Sequence, residues 1–182
     1  MSHIRSRDTR PELEARRGLW RRGYRFRVNV RSLPGTPDIV LPKYRTAVFV
    51  NGCFWHGHHD CRNYTVPKTN TAFWKEKVER NRARDLLDAQ RLESIGWSTV
   101  TVWECELSKT RLEKTLDRLE SELKANMLKW EQYRRRRRED RQFAMEQARR
   151  RREIAALVEA ELAESLGAAI PESIKRMSKK EI

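Results

Sequence analysis

The sequence is poor in the features that hold secreted and membrane-embedded chains together. Its 182 residues include three cysteines, and an odd number cannot pair completely within one chain. We therefore expect no disulfide framework and a reducing compartment. No run approaches the roughly 20 apolar residues of a membrane span, and the N-terminal residues lack the apolar core of a signal peptide. These absences predict a cytoplasmic chain with no membrane partner, whose cysteines are available for other chemistry.

Acidic side chains are too few to balance the basic ones. The chain has 40 lysines and arginines against 26 aspartates and glutamates, which gives a net charge of +14 and an isoelectric point near 10.3. Such a balance favours a polyanionic partner, and nucleic acid is the most common one. A basic surface that serves only solubility is the alternative.

Apolar periodicity predicts a mixed α/β domain over residues 1–128. After a polar, mobile arm at residues 1–10, Thr9 or Asp8 caps a helix that runs to about residue 22. Three strands follow, an alternating one at residues 24–30, one that begins at Asp38 and one at residues 47–50. The rest of the domain is a helix from Thr71 to a stop at Gly96, a strand at residues 97–103 and a helix over about residues 108–128.

Residues 129–182 have the composition of a basic helical extension. Arginine runs occupy residues 134–138 and 149–152, and we expect the residues past Gly167 to be disordered.

The chain is organised around residues 37–61, PDIVLPKYRTAVFVNGCFWHGHHDC. Two apolar runs joined by a turn predict a hairpin that places Asp38 beside residues 51–56. A carboxylate forced against an apolar strand end is costly unless it is compensated. A divalent cation would compensate it.

Cysteine and histidine are concentrated just after this hairpin, and one more cysteine lies far along the chain: Cys53, His56, His58, His59, Cys61 and Cys105. Thiolate and imidazole at this spacing suit a tetrahedral structural zinc site with three cysteines and one histidine. We assign the four ligands as Cys53, His58, Cys61 and Cys105, which uses every cysteine, and His59 remains the alternative to His58. The other interpretation is that these are small apolar cysteines and surface histidines without a metal.

If His58 binds zinc, His56 is left beside Asp38. A histidine near a carboxylate suits a general base that activates water, because its pKa lies near neutrality. A purely structural histidine is the alternative.

Three segments carry a resemblance to a known family: GTPDIVLPKYRTAVFVNGCFWHGHHDC, TVPKTNTAFWKEKVERNRARD and GWSTVTVWECEL. From about Ser2 to Leu107 the chain resembles the very short patch repair (Vsr) DNA mismatch endonucleases, a family of the PD-(D/E)xK nuclease superfamily. The resemblance implies a restriction-endonuclease-like mixed sheet flanked by helices, and cleavage of DNA 5′ to the T of a T:G mismatch left by deamination of 5-methylcytosine. It also implies a monomeric bacterial enzyme at the nucleoid, with double-stranded DNA as substrate and mismatch-repair proteins as candidate partners.

The resemblance further implies roles for individual residues. Asp38 and the backbone carbonyl of Val50 would bind a catalytic magnesium ion, Glu12 would organise metal-bound water, and His56 would be the base. Three aromatic residues would wedge into the base stack beside the mismatch: Phe54, Trp55 and Trp74. The zinc ligands it implies are the four assigned above.

Asn51 departs from the family pattern. It stands where well-known members carry a second active-site histidine, and an amide can hydrogen-bond a phosphate or a water but cannot take a proton. The lysine of the usual E-x-K motif is not visible, an absence that the family shares, and the resemblance does not extend past about residue 128.

Two other functions fit the same residues. One is a restriction-type nuclease of the same fold with a different site preference. The other is a non-catalytic, zinc-stabilised DNA-binding module in which Asp38 is only structural.

Overall fold

The structure, a computed structural model of the chain, describes residues 7–168. Most of the arm predicted at residues 1–10 lies outside the described residues, and so does the disorder predicted past Gly167, apart from Ala168. Within this part the elements are α1 (Arg10–Arg21), β1 (Ile39–Leu41), β2 (Thr46–Asn51), α2 (Thr71–Ser94), β3 (Ser98–Trp103) and α3 (Leu112–Ala168). Short 3-10 turns occupy Pro42–Tyr44 and Glu104–Leu107.

The sheet has β2 at its centre. β1 pairs antiparallel with β2, with Ile39 opposite Val48, and the turn at Pro42–Tyr44 makes them the predicted hairpin. β3 pairs parallel with β2, with Val48 opposite Val100. Parallel neighbours need a long crossover, which α2 supplies. The start of β1 and the ends of β2 and β3 therefore lie at one edge of the sheet.

The strand predicted at residues 24–30 is wrong. Only one bridge forms there, in which Arg27 and Val40 exchange two backbone hydrogen bonds of 2.8 Å. Tyr24 is buried and Phe26 packs against the core. The burial of these two aromatic side chains explains the alternating sequence pattern, although no series of strand-to-strand hydrogen bonds forms here. Asn29 then takes a positive φ of 48°, which ends extended backbone at that point.

The core lies between α1, the sheet and the first turns of α3. Its fully buried members come from all three layers: Leu19, Ile39, Leu41, Val48, Val102, Leu116, Leu119 and Leu123. Gly18 allows the two helices to approach, because a Cβ at this position would lie 2.5 Å from the side chain of Leu116. This packing fixes α1, and with it Glu12, against the sheet.

α3 differs from its prediction at both ends. It begins at Leu112 rather than near residue 108, because the 3-10 turn Glu104–Leu107 intervenes, and it continues to Ala168 rather than ending near residue 128. The chain divides into two compact units between Gln132 and Tyr133. The described part of the second unit is the exposed remainder of α3. Over residues 7–168, no helix combines the length and the apolar character needed to cross a membrane.

Candidate active site and metal centre

Asp38 lies immediately before β1, at the sheet edge where β2 ends. Its Oδ2 accepts a hydrogen bond of 2.7 Å from the backbone N–H of Val50, and Oδ1 accepts none within residues 7–168. Burial raises the pKa of Asp38 from 3.8 to about 6, against the effect of the Val50 hydrogen bond; nearby Glu12 raises it further, whereas Arg16 and His56 lower it. The site therefore holds a carboxylate whose negative charge is under-compensated.

Glu12 is fixed close to Asp38 by Arg16. Arg16 Nη2 donates to Glu12 Oε2 at 2.9 Å and to the backbone carbonyl of Asp38 at 3.2 Å. The Glu12 carboxylate also accepts from the hydroxyl of Thr9 at 2.8 Å and from the backbone N–H of Asp8 at 3.0 Å. Of the two predicted cap candidates, Thr9 and Asp8, the N-cap of α1 is Thr9. Sequence reasoning missed Arg16, although the spacing of four from Glu12 was a usable signal.

His56 is held by a carboxylate on α2. Its Nδ1 is in hydrogen-bond contact with Oδ2 of Asp85, and the two side chains are 22% and 34% exposed, respectively. An ionised carboxylate only accepts hydrogen bonds, so Nδ1 is the donor in this contact, and in the neutral imidazole the lone pair then lies on Nε2. Asp85 was not singled out from the sequence, where it reads as one more surface charge of a long helix.

The loop that carries His56 is fastened to α2 through its backbone. Asn81 Nδ2 donates to the carbonyl of Trp55 at 2.8 Å, and Arg82 donates to the carbonyls of His56, at 3.3 Å, and Gly57. Gly57 has φ +62°, and a Cβ there would lie 2.5 Å from Val78 Cγ1. Glycine is therefore required where the loop passes the helix.

Asn51, the last residue of β2, lies opposite Trp103 of β3 at the same sheet edge. It is 9% exposed, and its side chain makes no hydrogen bond in the described part of the chain. An amide therefore stands at the end of β2, at the position where the resemblance implies a second histidine in well-known members of the family.

The four residues assigned to zinc come together after β2 and β3. The ligand atoms of Cys53, His58, Cys61 and Cys105 all lie within 4.8 Å of one another. His58 Nδ1 is 3.5 Å from the sulfur of Cys53 and 3.4 Å from that of Cys105. Metal–sulfur bonds of about 2.3 Å and metal–nitrogen bonds of about 2.0–2.1 Å give a tetrahedron with sulfur–nitrogen edges of about 3.5 Å and sulfur–sulfur edges of about 3.8 Å, so the donor set fits such an ion.

His59 is directed away from this cluster. Its Nδ1 contacts Asp60 Oδ2 at 2.8 Å, and both side chains are more than four-fifths exposed. His58 is instead stacked flat on Trp103, with ring centroids 4.1 Å apart. The backbone explains the difference, because the N–H of His58 donates to the carbonyl of Cys53 at 2.9 Å, which folds His58 back over the cluster.

The thiols of the cluster differ in acidity. Burial raises the pKa of Cys53 to about 12 and also raises that of Cys105. A hydrogen bond from the backbone of Asn63 lowers the pKa of Cys61. Three neighbouring thiols cannot all lose their protons without a high electrostatic cost unless a cation is present. A bound metal ion would stabilise the thiolates, and its binding would release their protons.

Aromatic rings form a patch beside His56. Phe54, Trp55 and Trp74 contact one another edge to face, with centroids 5.2 to 6.0 Å apart. Phe73, which sequence reasoning did not single out, joins them 5.2 Å from Trp74. Trp55 is 37% and Phe73 52% exposed, so the patch presents ring surface to solvent rather than to the core.

Several known proteins are similar to this chain in sequence. The model of the family described as DNA mismatch endonuclease Vsr matches residues 1–63. The type II nicking enzyme V.NmeAIP of Neisseria meningitidis is 46% identical over 125 residues, which are 68% of this chain and 89% of that protein. V.XorIIP of Xanthomonas oryzae is 48% identical over 122 residues, 64% of this chain and 89% of the relative. DNA mismatch endonuclease Vsr of Escherichia coli is 47% identical over 107 residues, 59% of this chain and 68% of that enzyme.

Proposed function

Because the chain belongs to the Vsr DNA mismatch endonuclease family and is a DNA endonuclease, we propose that it nicks duplex DNA at T:G mismatches left by deamination of 5-methylcytosine. One observation carries the proposal. An under-compensated carboxylate at Asp38, the His56–Asp85 pair and the exposed aromatic patch lie around one edge of the sheet. The proposal thus assigns catalysis and contact with a distorted base pair to neighbouring groups.

Magnesium fits the carboxylate end of this site. Hard cations prefer carboxylate and carbonyl oxygens, and Asp38 offers an Oδ1 that no described group satisfies. We propose Asp38 and the backbone carbonyl of Val50 as the protein ligands, with Glu12, held by Arg16, positioning water nearby. When bound, the ion would stabilise the charge that develops on the phosphate.

His56 is the proposed base. Asp85 accepts a hydrogen bond from Nδ1, so Nε2 can take a proton from a water molecule. The oxygen of that water attacks phosphorus while the bond between phosphorus and the leaving oxygen breaks. Asn51 can donate a hydrogen bond to a phosphate oxygen or to that water. The proposed mechanism therefore uses one histidine as a base. Asn51, which stands where the resemblance implies a second histidine, would contribute only hydrogen bonds.

The aromatic patch is proposed to recognise the mismatch. Phe54, Trp55 and Trp74 would insert between base pairs, which costs unstacking energy of a few kcal/mol per step. This cost is lowest where pairing is already imperfect. Mismatch preference would then arise from DNA deformability as well as from hydrogen bonds to the bases.

Zinc is proposed as the ion of the cysteine–histidine cluster, with a structural role. It would join the loop that carries His56 to the end of β3 through Cys105, and so hold the site in place. We further propose that the sheet is the core of a restriction-endonuclease-like fold. One chain supplies every group of the proposed site, so we propose that the enzyme acts as a monomer. We propose the bacterial nucleoid as its location and mismatch-repair proteins as the partners that process the nick.

The non-catalytic DNA-binding module is set aside, because the chain belongs to a family of endonucleases. The restriction-type alternative is tested with two otherwise identical plasmids, one with a single T:G mismatch and one with T:A. We expect magnesium-dependent conversion of only the mismatched plasmid to the nicked circle, and no conversion by Asp38→Asn. Cutting of both plasmids at a shared site would instead indicate a restriction-type nuclease.

A further inference from the structure

The part of α3 that follows residue 132 is an exposed helix with an unusual charge. Over residues 134–152 it carries ten arginines and three acidic residues. Each of the matches to the relatives above leaves about a third or more of the chain unmatched. The family model, which matches residues 1–63, does not extend to these charges.

Helical geometry sorts the arginines into two sets. At 3.6 residues per turn, six of them fall within about a third of the helix circumference: Arg134, Arg137, Arg138, Arg141, Arg149 and Arg152. We call these six the arginine stripe. It extends for about 27 Å, since each residue advances the helix by about 1.5 Å.

Acidic residues lie beside the stripe and not in it. Glu139, Glu146 and Glu153 recur every seven residues along one flank, and Asp140 lies on the other flank. They form only two ion pairs with arginines in the described helix, Arg149 with Glu153 at 2.8 Å and Arg150 with Glu146 at 3.2 Å. The other five members of the stripe make no ion pair within residues 7–168, and their side chains are exposed.

We propose that the arginine stripe binds the phosphates of duplex DNA outside the catalytic site. The inference rests on the proposed function only in taking duplex DNA as the substrate. Guanidinium groups match phosphate oxygens in a bidentate geometry. DNA carries one charge per about 1.7 Å of its axis, so about 27 Å of duplex offers roughly 16 phosphates to six arginines.

The apolar side chains of this helix favour DNA over an anionic membrane. Phe143, Ile154 and Leu157 are each more than 60% exposed, and the helical repeat places them opposite the arginine stripe, whereas Met145, 74% exposed, lies within it. A helix lying on a bilayer buries its apolar side, which would turn the stripe away from the lipid headgroups. Contact with duplex DNA uses the stripe directly.

Phosphate contacts hold a protein on DNA without reading sequence. The stripe should therefore add affinity for any duplex, matched or mismatched, and make binding more sensitive to salt. It should leave the ratio of affinities for T:G and T:A duplexes unchanged.

Two full-length variants that remove the same charge test the proposal. The stripe variant carries Arg134→Gln, Arg138→Gln, Arg141→Gln and Arg152→Gln. The control variant carries Arg135→Gln, Arg136→Gln, Arg150→Gln and Arg151→Gln, all outside the stripe. Glutamine keeps the helix propensity close to that of arginine, and circular dichroism checks that helicity is retained.

Dissociation constants for a matched duplex are measured at several salt concentrations without magnesium, so that no cleavage occurs. Each lost phosphate contact should reduce the slope of log affinity against log salt by about 0.9. We expect the stripe variant to lose roughly two to four in slope and the control variant less than one.

Slopes equal to that of the unmodified protein in both variants, or equal losses in both, would overturn the proposal. So would an unchanged DNA slope together with lost binding of the stripe variant to phosphatidylglycerol vesicles, which would assign the stripe to a membrane. The same titrations on a T:G duplex separate the two proposals. Absence of T:G preference in the unmodified protein would count against the mismatch function and leave the difference in slope intact.

Discussion

His56 and Asp85 meet across 29 residues of sequence, with Nδ1 of the imidazole against Oδ2 of the carboxylate. One comes from the loop after β2 and the other from the middle of α2. The contact favours the tautomer of neutral imidazole in which Nδ1 carries the hydrogen and Nε2 carries the lone pair.

We expect Asp85→Asn to reduce kcat by roughly 10² to 10⁴, the range over which a general base and its orienting carboxylate act. An amide can donate as well as accept, so it no longer fixes the tautomer. The control is Asp88→Asn, three residues later on α2, where the carboxylate pairs with Arg91 at 3.4 Å. Single-turnover nicking rates compare the two variants, and equal rates in both would remove the role assigned to Asp85.

The raised pKa of Asp38 makes stability depend on pH in a definite direction. The pKa is about 6 in the folded state against 3.8 ordinarily, so between about pH 4 and 6 the folded state binds the proton that the unfolded state releases. Stability due to this group therefore falls as pH rises through that window. Each unit of difference between the folded and the ordinary pKa corresponds to about 1.36 kcal/mol. Ionised Asp38 therefore lowers the free energy of unfolding by roughly 2 to 3 kcal/mol at pH 7.

Asp38→Asn should consequently stabilise the protein at pH 7.5 in magnesium-free buffer, raising Tm by roughly 5 °C or more. The gain should shrink towards zero at pH 4. Thermal melts of both proteins across this range measure the difference. A gain that is independent of pH would contradict the burial of an ionised Asp38.

Zinc should be present at about one ion per chain in the freshly purified protein. His58→Ala and Cys105→Ser should each lower the zinc content and Tm, because each removes a ligand. His59→Ala, the neighbouring histidine that faces solvent, should change neither. Elemental analysis of the three variants gives the answer, and zinc loss from His59→Ala with retention by His58→Ala would reverse the assignment.

Much of the hairpin and of the metal cluster could be predicted because the residues that define them are close in sequence. Two apolar runs around a proline turn define β1 and β2, and ligand-type residues crowd the loop that follows. The choice between His58 and His59 could not be made from spacing alone. It depends on a backbone hydrogen bond from His58 to Cys53, which is a property of the folded loop.

The missed residues share a physical reason. Arg16 and Asp85 are charged residues on helices, and helical periodicity reports only which face is apolar, not which charge meets a loop that is distant in sequence. The strand wrongly predicted at residues 24–30 fails differently. Alternation records the burial of Tyr24 and Phe26 but cannot tell whether a neighbouring strand is there to pair with.

Trp55→Ala should reduce the preference for a T:G over a T:A duplex by about tenfold or more, since base–aromatic stacking is worth about 1–3 kcal/mol. The cleavage rate of T:G duplexes that the Trp55→Ala variant does bind correctly should fall by a smaller factor. Trp20→Ala is the matched control, because Trp20 is 56% exposed on α1 and belongs to no part of the patch. Competition binding with the two duplexes compares the variants, and an equal loss of preference in both would leave the patch without a role in recognition.

The most direct test of the account is strand-resolved nicking of end-labelled duplexes that differ only in one base pair, T:G or T:A, with magnesium present. We expect a single cut on the 5′ side of the mismatched T, no cut in the opposite strand, and at least 100-fold slower cutting of the T:A duplex, corresponding to roughly 3 kcal/mol of discrimination. Equal rates on the two duplexes, or cuts in both strands, would contradict it.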